Sequence, residues 1–186
     1  SGILYNEYGE LLYAMNSSSD QCIKTWEKGI EIDPNCSSNY YNACRYYGTI
    51  GNNIWSLLYG EIFVNLESYT ARTIEIKNIL YDIYKQWFIS DNIAASTPFE
   101  QQFVATLNKQ IKDAQYGITP EALSVIRTKF ILDWFGAPSN KPAFHLFEYQ
   151  RQLLQEGVFE AYTQWLFGSV NNTANYQMWV NNHFLE

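Results

Sequence analysis

A chain of 186 residues holds one domain or a short repeat array with an extension, and it is long enough to bury roughly two-thirds of its unfolded surface without a disulfide or metal staple. Hydrophobic residues at 47% and charged residues at 17% exclude a disordered chain, while the 17% aromatic share, with 15 Tyr and 6 Trp, supplies side chains that bury large areas and keep a polar tip. Twelve basic against nineteen acidic residues give a formal charge of -7 with no Lys/Arg cluster, which disfavours nucleic acid, and no apolar run reaches the roughly 18–20 residues of a membrane span.

In chain order, Ile3, Leu4, Tyr8, Leu11, Leu12 and Met15 recur at spacings of three and four, one face of a helix over 3–15, which the run Asn16-Ser17-Ser18-Ser19-Asp20 breaks. Ser18 with Gln21 three residues on reads as a capping box for a helix through Ile23, Trp26 and Ile30. Asp33-Pro34 stops that helix, because proline disfavours the αR region in the residue before it. Ser37 or Ser38 is placed to cap a helix running to about Tyr47. Gly48 and Gly51-Asn52-Asn53 then turn the chain into a return helix over 54–66. Two helical hairpins result.

A longer helix over 69–90 follows, with Ile76, Ile79, Leu80, Ile83, Tyr84 and Trp87 on one stripe; it is expected to cover the open end of the second hairpin. Thr97-Pro98-Phe99-Glu100 and Thr119-Pro120-Glu121 are helix starts, with Thr at the N-cap and Pro at the first helical position, and predict helices over 98–115 and 120–135. The stretch Gly136-Ala137-Pro138-Ser139-Asn140-Lys141-Pro142 is a loop, and helices over 144–156, 159–167 and 174–184 complete the chain. No segment sustains period-two alternation, so the fold class is all-α. The closing Leu185-Glu186 reads as the scar of an affinity tag, and a start at Ser1 is compatible with a removed signal peptide or further repeats upstream.

Tyr5, Tyr8, Gly9 and Leu12, then Cys22, Trp26, Gly29 and Pro34, form one pass through a pattern of aromatic, small and proline positions. Tyr40, Ala43, Cys44 and Tyr47, then Ser56, begin a second. This pattern resembles the tetratricopeptide repeat of about 34 residues. The second pass departs from it, with Gly60 where an aromatic is expected and Ser68 where the proline falls. The pattern is a packing code: Gly9 and Cys44 make room for a partner helix while Trp26 and Tyr47 fill space. The resemblance covers residues 3–68 as two hairpins of a repeat superhelix, with 69–184 as a capping helix and helical extension continuous with them. Taken whole, the chain resembles exported bacterial members of the family that carry such an extension and lack an assigned activity, which implies a periplasmic or otherwise exported location.

In that family the first helix of each unit lines a concave groove, and the residues between its signature positions choose the ligand. By register the resemblance places Asn6, Glu10, Tyr13, Tyr41, Arg45 and Thr49 in the groove, facing a protein or peptide ligand; the plain alternative makes them solvated helix faces. Tyr41 and Arg45 are of the types that anchor interfaces. This reading needs no cofactor and no metal. Cys22, Cys36 and Cys44 have no CxxC spacing and His145 and His183 lie far from them, so no zinc pattern exists. Cys22 and Cys44 read as packing thiols, with a disulfide between them as the alternative.

Two other function classes stand beside the binding scaffold. The rings of Trp134, Phe135, Phe144, Phe147, Trp165, Phe167 and Trp179 either form a core or hold a small apolar ligand or glycan in the extension. For an enzyme, His145 and Glu148 share one helix face as an acid–base couple, against the simpler reading of a packing histidine. Asp82, Asp113 and Asp133 read as surface charges. The chain carries no GxGxxG, GxxxxGK[ST], GxSxG or HExxH.

Overall fold

The computed structural model describes residues 1–15, 18–90, 93–111, 114, 117–136 and 141–183, and among these it contains ten helices and no strand. They are α1 (Gly2–Ala14), α2 (Ser19–Ile32), α3 (Ser37–Thr49), α4 (Asn53–Leu66), α5 (Ala71–Ile89), α6 (Pro98–Ile111), α7 (Pro120–Phe135), α8 (His145–Gln155), α9 (Phe159–Asn171) and α10 (Thr173–Asn182). The all-α class follows from the 3.6-residue periodicity of nearly every apolar run. The breaker Asn16-Ser17, the centre of the 136–142 loop, Asp113, the end of the 98–115 helix and the tail from Phe184 lie outside the described residues.

The chain divides into two compact units, residues Ser1–Leu80 and Tyr81–Glu186. The division falls inside α5, beyond the residue 68 at which the repeat pattern ends. In the first unit α1 pairs with α2 and α3 with α4, as two helical hairpins, and the second hairpin lies against the first. Close approach of the helices depends on small residues. A Cβ on Gly9 would lie 2.3 Å from Trp26 Nε1, and one on Gly29 would lie 2.6 Å from Asn39 Oδ1. Cys22, Ile23, Trp26, Ala43 and Tyr46 form the core there, with Leu12, Tyr47 and Tyr59 packed against it.

Gly60, the departure from the repeat pattern, has a packing reason. A Cβ there would meet Leu80 Cδ2 at 2.7 Å, Cys44 Sγ at 2.8 Å and Ile76 Cγ2 at 3.1 Å, so glycine admits the first half of α5. The aromatic expected at that place is supplied one residue earlier by Tyr59, which stacks on Tyr47 at 5.9 Å and on Trp55 at 5.5 Å. Both hydroxyls, of Tyr47 and Tyr59, donate to Glu27 at 2.9 and 3.1 Å. Burial and the neighbouring Glu27 carboxylate push the Tyr59 phenol up.

The second unit is built around aromatic rings that fill one another's gaps. Phe147 lies 4.9 Å from Trp134 and 5.2 Å from Phe130, and Phe130 lies 5.2 Å from Phe103. Arg127, buried on α7, places its guanidinium over Phe159, Tyr162 and Phe167 and donates to Thr163 Oγ1 at 3.0 Å. The Tyr81 hydroxyl sits 2.7 Å from both the Ile118 carbonyl and Asn171 Oδ1.

Helix starts follow the sequence unevenly. Thr97 and Glu100 form the reciprocal capping box, Thr97 Oγ1 accepting from the Glu100 amide at 3.2 Å and Glu100 Oε2 from the Thr97 amide at 2.9 Å. Thr119 accepts from the Ala122 amide at 3.2 Å. The expected capping box at Ser18 is a correction: Ser18 is the N-cap by backbone position but makes no side-chain cap bond. Neither Ser37 nor Ser38 caps α3, whose N-cap is Cys36; the helix starts one residue earlier than a serine cap would require, and Ser37 lies inside it, donating to Glu67 Oε2 at 2.9 Å, a partner 30 residues away. At α4 the cap is Asn52, accepting from the Trp55 amide at 3.2 Å, after Gly51 takes the left-handed turn at φ 78°.

Candidate functional site

The expected groove residues lie on α1 and α3, and the structure ties them together through side chains that the repeat register did not single out. Asn42 on α3 reaches back to α1, its amide donating to Asn6 Oδ1 and to Glu10 Oε1, each at 2.9 Å, while Asn6 donates to Glu10 Oε1 at 3.1 Å. Glu75 on α5 reaches back to α3 in the same way. The Tyr41 hydroxyl donates to Glu75 Oε2 at 2.7 Å, and Arg45 Nε pairs with Glu75 Oε1 at 3.1 Å. Each first helix is thus bridged by one residue of the next, and each bridge takes two positions one helical turn apart.

Asn6 and Asn42 are buried, whereas Glu10 and Arg45 remain exposed beside them. This gives a polar face whose amides are fixed by their own network. Tyr13, half-exposed, borders it with its ring 6.3 Å from both Trp26 and Tyr46. Thr49 stands apart from the network; its hydroxyl donates to the Arg45 carbonyl at 3.0 Å.

Arg72, at the start of α5, completes the charge pattern. Its guanidinium lies 4.9 Å from the Tyr41 ring centre and pairs with Glu67 at 2.5 Å. The Arg72 pKa is raised, chiefly by the Glu67 hydrogen bond, with Glu10 among the carboxylates that add to it, which sets Glu10 within electrostatic reach of Arg72. Glu67 is partly buried, which works against its ionisation, yet hydrogen bonds from Arg72, Thr70 and Ser37 outweigh that and hold its carboxyl below the usual range. Burial, then the bond to Glu75, pushes the Tyr41 phenol up. Both arginines are therefore matched to carboxylates, and Glu10 accepts hydrogen bonds from the amides of Asn6 and Asn42.

No protein-family model matches the chain, and neither a curated protein nor a solved structure matches it.

The other candidates fall into place separately. His145 Nδ1 lies 3.1 Å from Glu148 Oε2, so the pair forms, on the open surface with the His145 ring fully exposed. Asp82 pairs with Lys85 at 2.6 Å and Asp133 with Lys109 at 3.3 Å, as surface charges. Among the described residues no three His, Cys, Asp or Glu side chains are grouped to hold a metal ion, and no helix is long and apolar enough to cross a membrane. Cys22 and Cys44 are free thiols, both buried; burial pushes the Cys44 thiol up to about 12, and its sulfur sits 3.7 Å from Ser56 Oγ. Of the seven rings proposed for an apolar ligand, Trp134, Phe144, Phe147 and Phe167 pack on other rings of the core, Trp165 stacks on Tyr162, and Trp179 stacks on His183 at 4.3 Å. Phe135 instead lines an open cleft of about 250 Å³ with Ile131, Leu132, Arg151, Leu154 and Gln155, where Arg151 lies over its ring.

Residues the sequence left out are Asn42, Arg72 and Glu75. For Asn42 and Glu75 the signal was positional: Asn42 stands 35 residues after Glu7 on α1, and Glu75 stands 33 after Asn42, whereas Arg72 lies outside that spacing.

Proposed function

We propose that the chain is a non-enzymatic protein- or peptide-binding scaffold of tetratricopeptide-repeat type, and that its ligand lies along the polar face of α1, α3 and the start of α5. The observation that carries this is the bridging network, in which Asn42 and Glu75 hold Asn6, Glu10, Tyr41 and Arg45 in fixed orientations. Side chains already ordered lose little freedom on binding, which favours recognition by pre-organisation. Glu10 and Arg45, exposed beside the buried amides, offer an acceptor and donors to a ligand, and Tyr13 and Tyr41 offer rings. The reading as a binder of a small apolar ligand draws no support from the extension, whose described rings mostly lie against each other.

Affinity capture from the native host, followed by calorimetry with the captured protein, tests the proposal. The variant Tyr41→Ala/Arg45→Ala should bind at least about 10-fold more weakly, since Tyr and Arg truncations at interfaces commonly cost more than 1.4 kcal/mol. Unchanged affinity moves the site off this face, and failure to recover any specific protein overturns the scaffold reading.

A further inference from the structure

Phe135 stands in the last turn of α7, and Arg151 of α8 places its guanidinium 4.8 Å from the ring centre. With Ile131, Leu132, Leu154 and Gln155 they line a cleft of about 250 Å³ that opens to the surface, in which Ile131 is buried and Leu132 is 60% exposed. Leu154 also borders a second cleft, of about 410 Å³, whose lining includes Val125, Lys129 and Glu160. Arg45 and Arg72 are paired with carboxylates and Arg127 is buried against rings and Thr163, but the exposed Arg151 pairs with no carboxylate among the described residues. The carboxylates on either side of it in sequence are engaged elsewhere: Glu148 faces His145 at 3.1 Å, and Glu156 accepts from Gln152 at 2.8 Å. In a chain with 19 acidic residues against 12 basic, an arginine is thus left open beside exposed apolar surface.

We propose that this cleft between α7 and α8 binds a small organic acid, a single carboxylate joined to one ring or a short branched chain. A guanidinium carries its N–H donors in its own plane, so a ring against its face shields that face and leaves the donors to an in-plane, bidentate acceptor. A carboxylate has that shape. Ile131, Leu132 and Leu154 gain from burial only if the same molecule brings an apolar body to them. The charge fits one carboxylate better than a phosphate, because Arg151 is the cation of this cleft and Lys129 lines only its neighbour. Ligand pockets commonly hold about 300–1,000 Å³, so a cleft this size takes a small molecule. A peptide is a poorer match. The lining residues sit on α7 and α8, whose backbone groups bond along the helices, which leaves Gln155 as the polar group beside Arg151 and gives an extended main chain little to pair with. The site belongs to the second unit alone, so its failure would leave the proposed peptide face of α1 and α3 untouched.

Calorimetric titration of the full chain with phenylacetate and isovalerate tests this, with phenylacetamide, acetate, inorganic phosphate and a tripeptide ending in a free phenylalanine as comparisons. At least one of the two acids should bind, and phenylacetamide, which lacks the charge, and acetate, which lacks the apolar body, should each bind at least about 10-fold more weakly. Arg151→Gln should abolish the preference for acid over amide while circular dichroism shows an unchanged fold, and Arg151→Lys, which keeps the charge without the fork of donors, should retain only part of it. Leu132→Ser should weaken the acid and the amide alike. Binding of neither acid, or acid binding indifferent to Arg151→Gln, overturns the inference. Tighter binding of phosphate overturns it by making the site one for a bare anion, and tighter binding of the tripeptide overturns it by assigning the cleft to a chain terminus.

Discussion

Lys77 lies on the first half of α5, largely buried, and burial pushes its ammonium down to about 8 from an ordinary value near 10.5. Below pH 8 the amine is charged in both folded and unfolded chains, so the folded chain carries the full penalty of burying it. Between pH 8 and about 10.5 the unfolded chain binds the proton that the folded chain has released, and stability rises with pH across that window. Lys77→Met should therefore melt at a higher temperature than the natural chain at pH 7, with the difference shrinking from pH 8 to 10. Comparing the two proteins cancels the opposing titrations of Cys44 and the buried tyrosines. A gain that stays constant across that range would show that desolvation of the amine is not the cause. Lys77 stands next to the apolar stripe of this helix, and its burial was not legible in the sequence because it depends on the hairpin that the stripe covers. Gly9 and Trp26 were readable because their roles are local to one hairpin, a small residue facing a large one.

At the scale of elements, the helices whose starts rest on Thr-Pro-x-Glu or Thr-Pro-Glu were legible to the residue at their N-terminal ends, α6 at Pro98 and α7 at Pro120. Those signals are covalently close and compete with nothing. Ser18, Ser37 and Ser38 looked similar and failed to cap; Cys36 takes the N-cap position of α3, so Ser37 and Ser38 fall inside the helix, where Ser37 donates to Glu67 and Ser38 accepts from Arg72. The candidate face shows the same division: Tyr41 and Arg45 were identifiable by type and register, while their shared partner Glu75 lies 34 residues after the first and 30 after the second. Removing the reciprocal cap of α6 with Thr97→Ala should cost about 1 kcal/mol, a typical N-cap loss, measured by urea unfolding. Thr97→Ser should recover most of it. A Ser variant as unstable as the Ala variant would place the loss in the threonine methyl group instead of the hydrogen bond.

For the whole molecule the decisive element is α5, which belongs to both units. Its first half gives Ile76 and Leu80 to the packing around Gly60 and Cys44, and its second half gives Tyr81, Tyr84 and Trp87 to the second unit, where Trp87 donates to Asn108 at 2.7 Å. Consensus letters stop at residue 68, and the compact unit continues through the first half of α5 to Leu80. Asp82 is an exposed position near the middle of that helix, paired with Lys85. Asp82→Pro should cost about 3 kcal/mol or more by removing a helix hydrogen bond and colliding with the preceding turn. Hydrogen exchange should then speed up in the amides of both units. Acceleration confined to one of them would mean that the other does not draw on the continuity of α5.

The glycine at position 60 sets where this protein can be cut. A fragment trimmed at Ser68 keeps every residue of the tetratricopeptide-like pattern, yet it leaves Gly60 and Cys44 with the α5 side chains Ile76 and Leu80 stripped away, an apolar trench on the flank of α4. Cloning limits chosen from the motif alone would thus release a sticky piece, and a usable module of the first hairpins has to carry its lid out to Leu80 at the least.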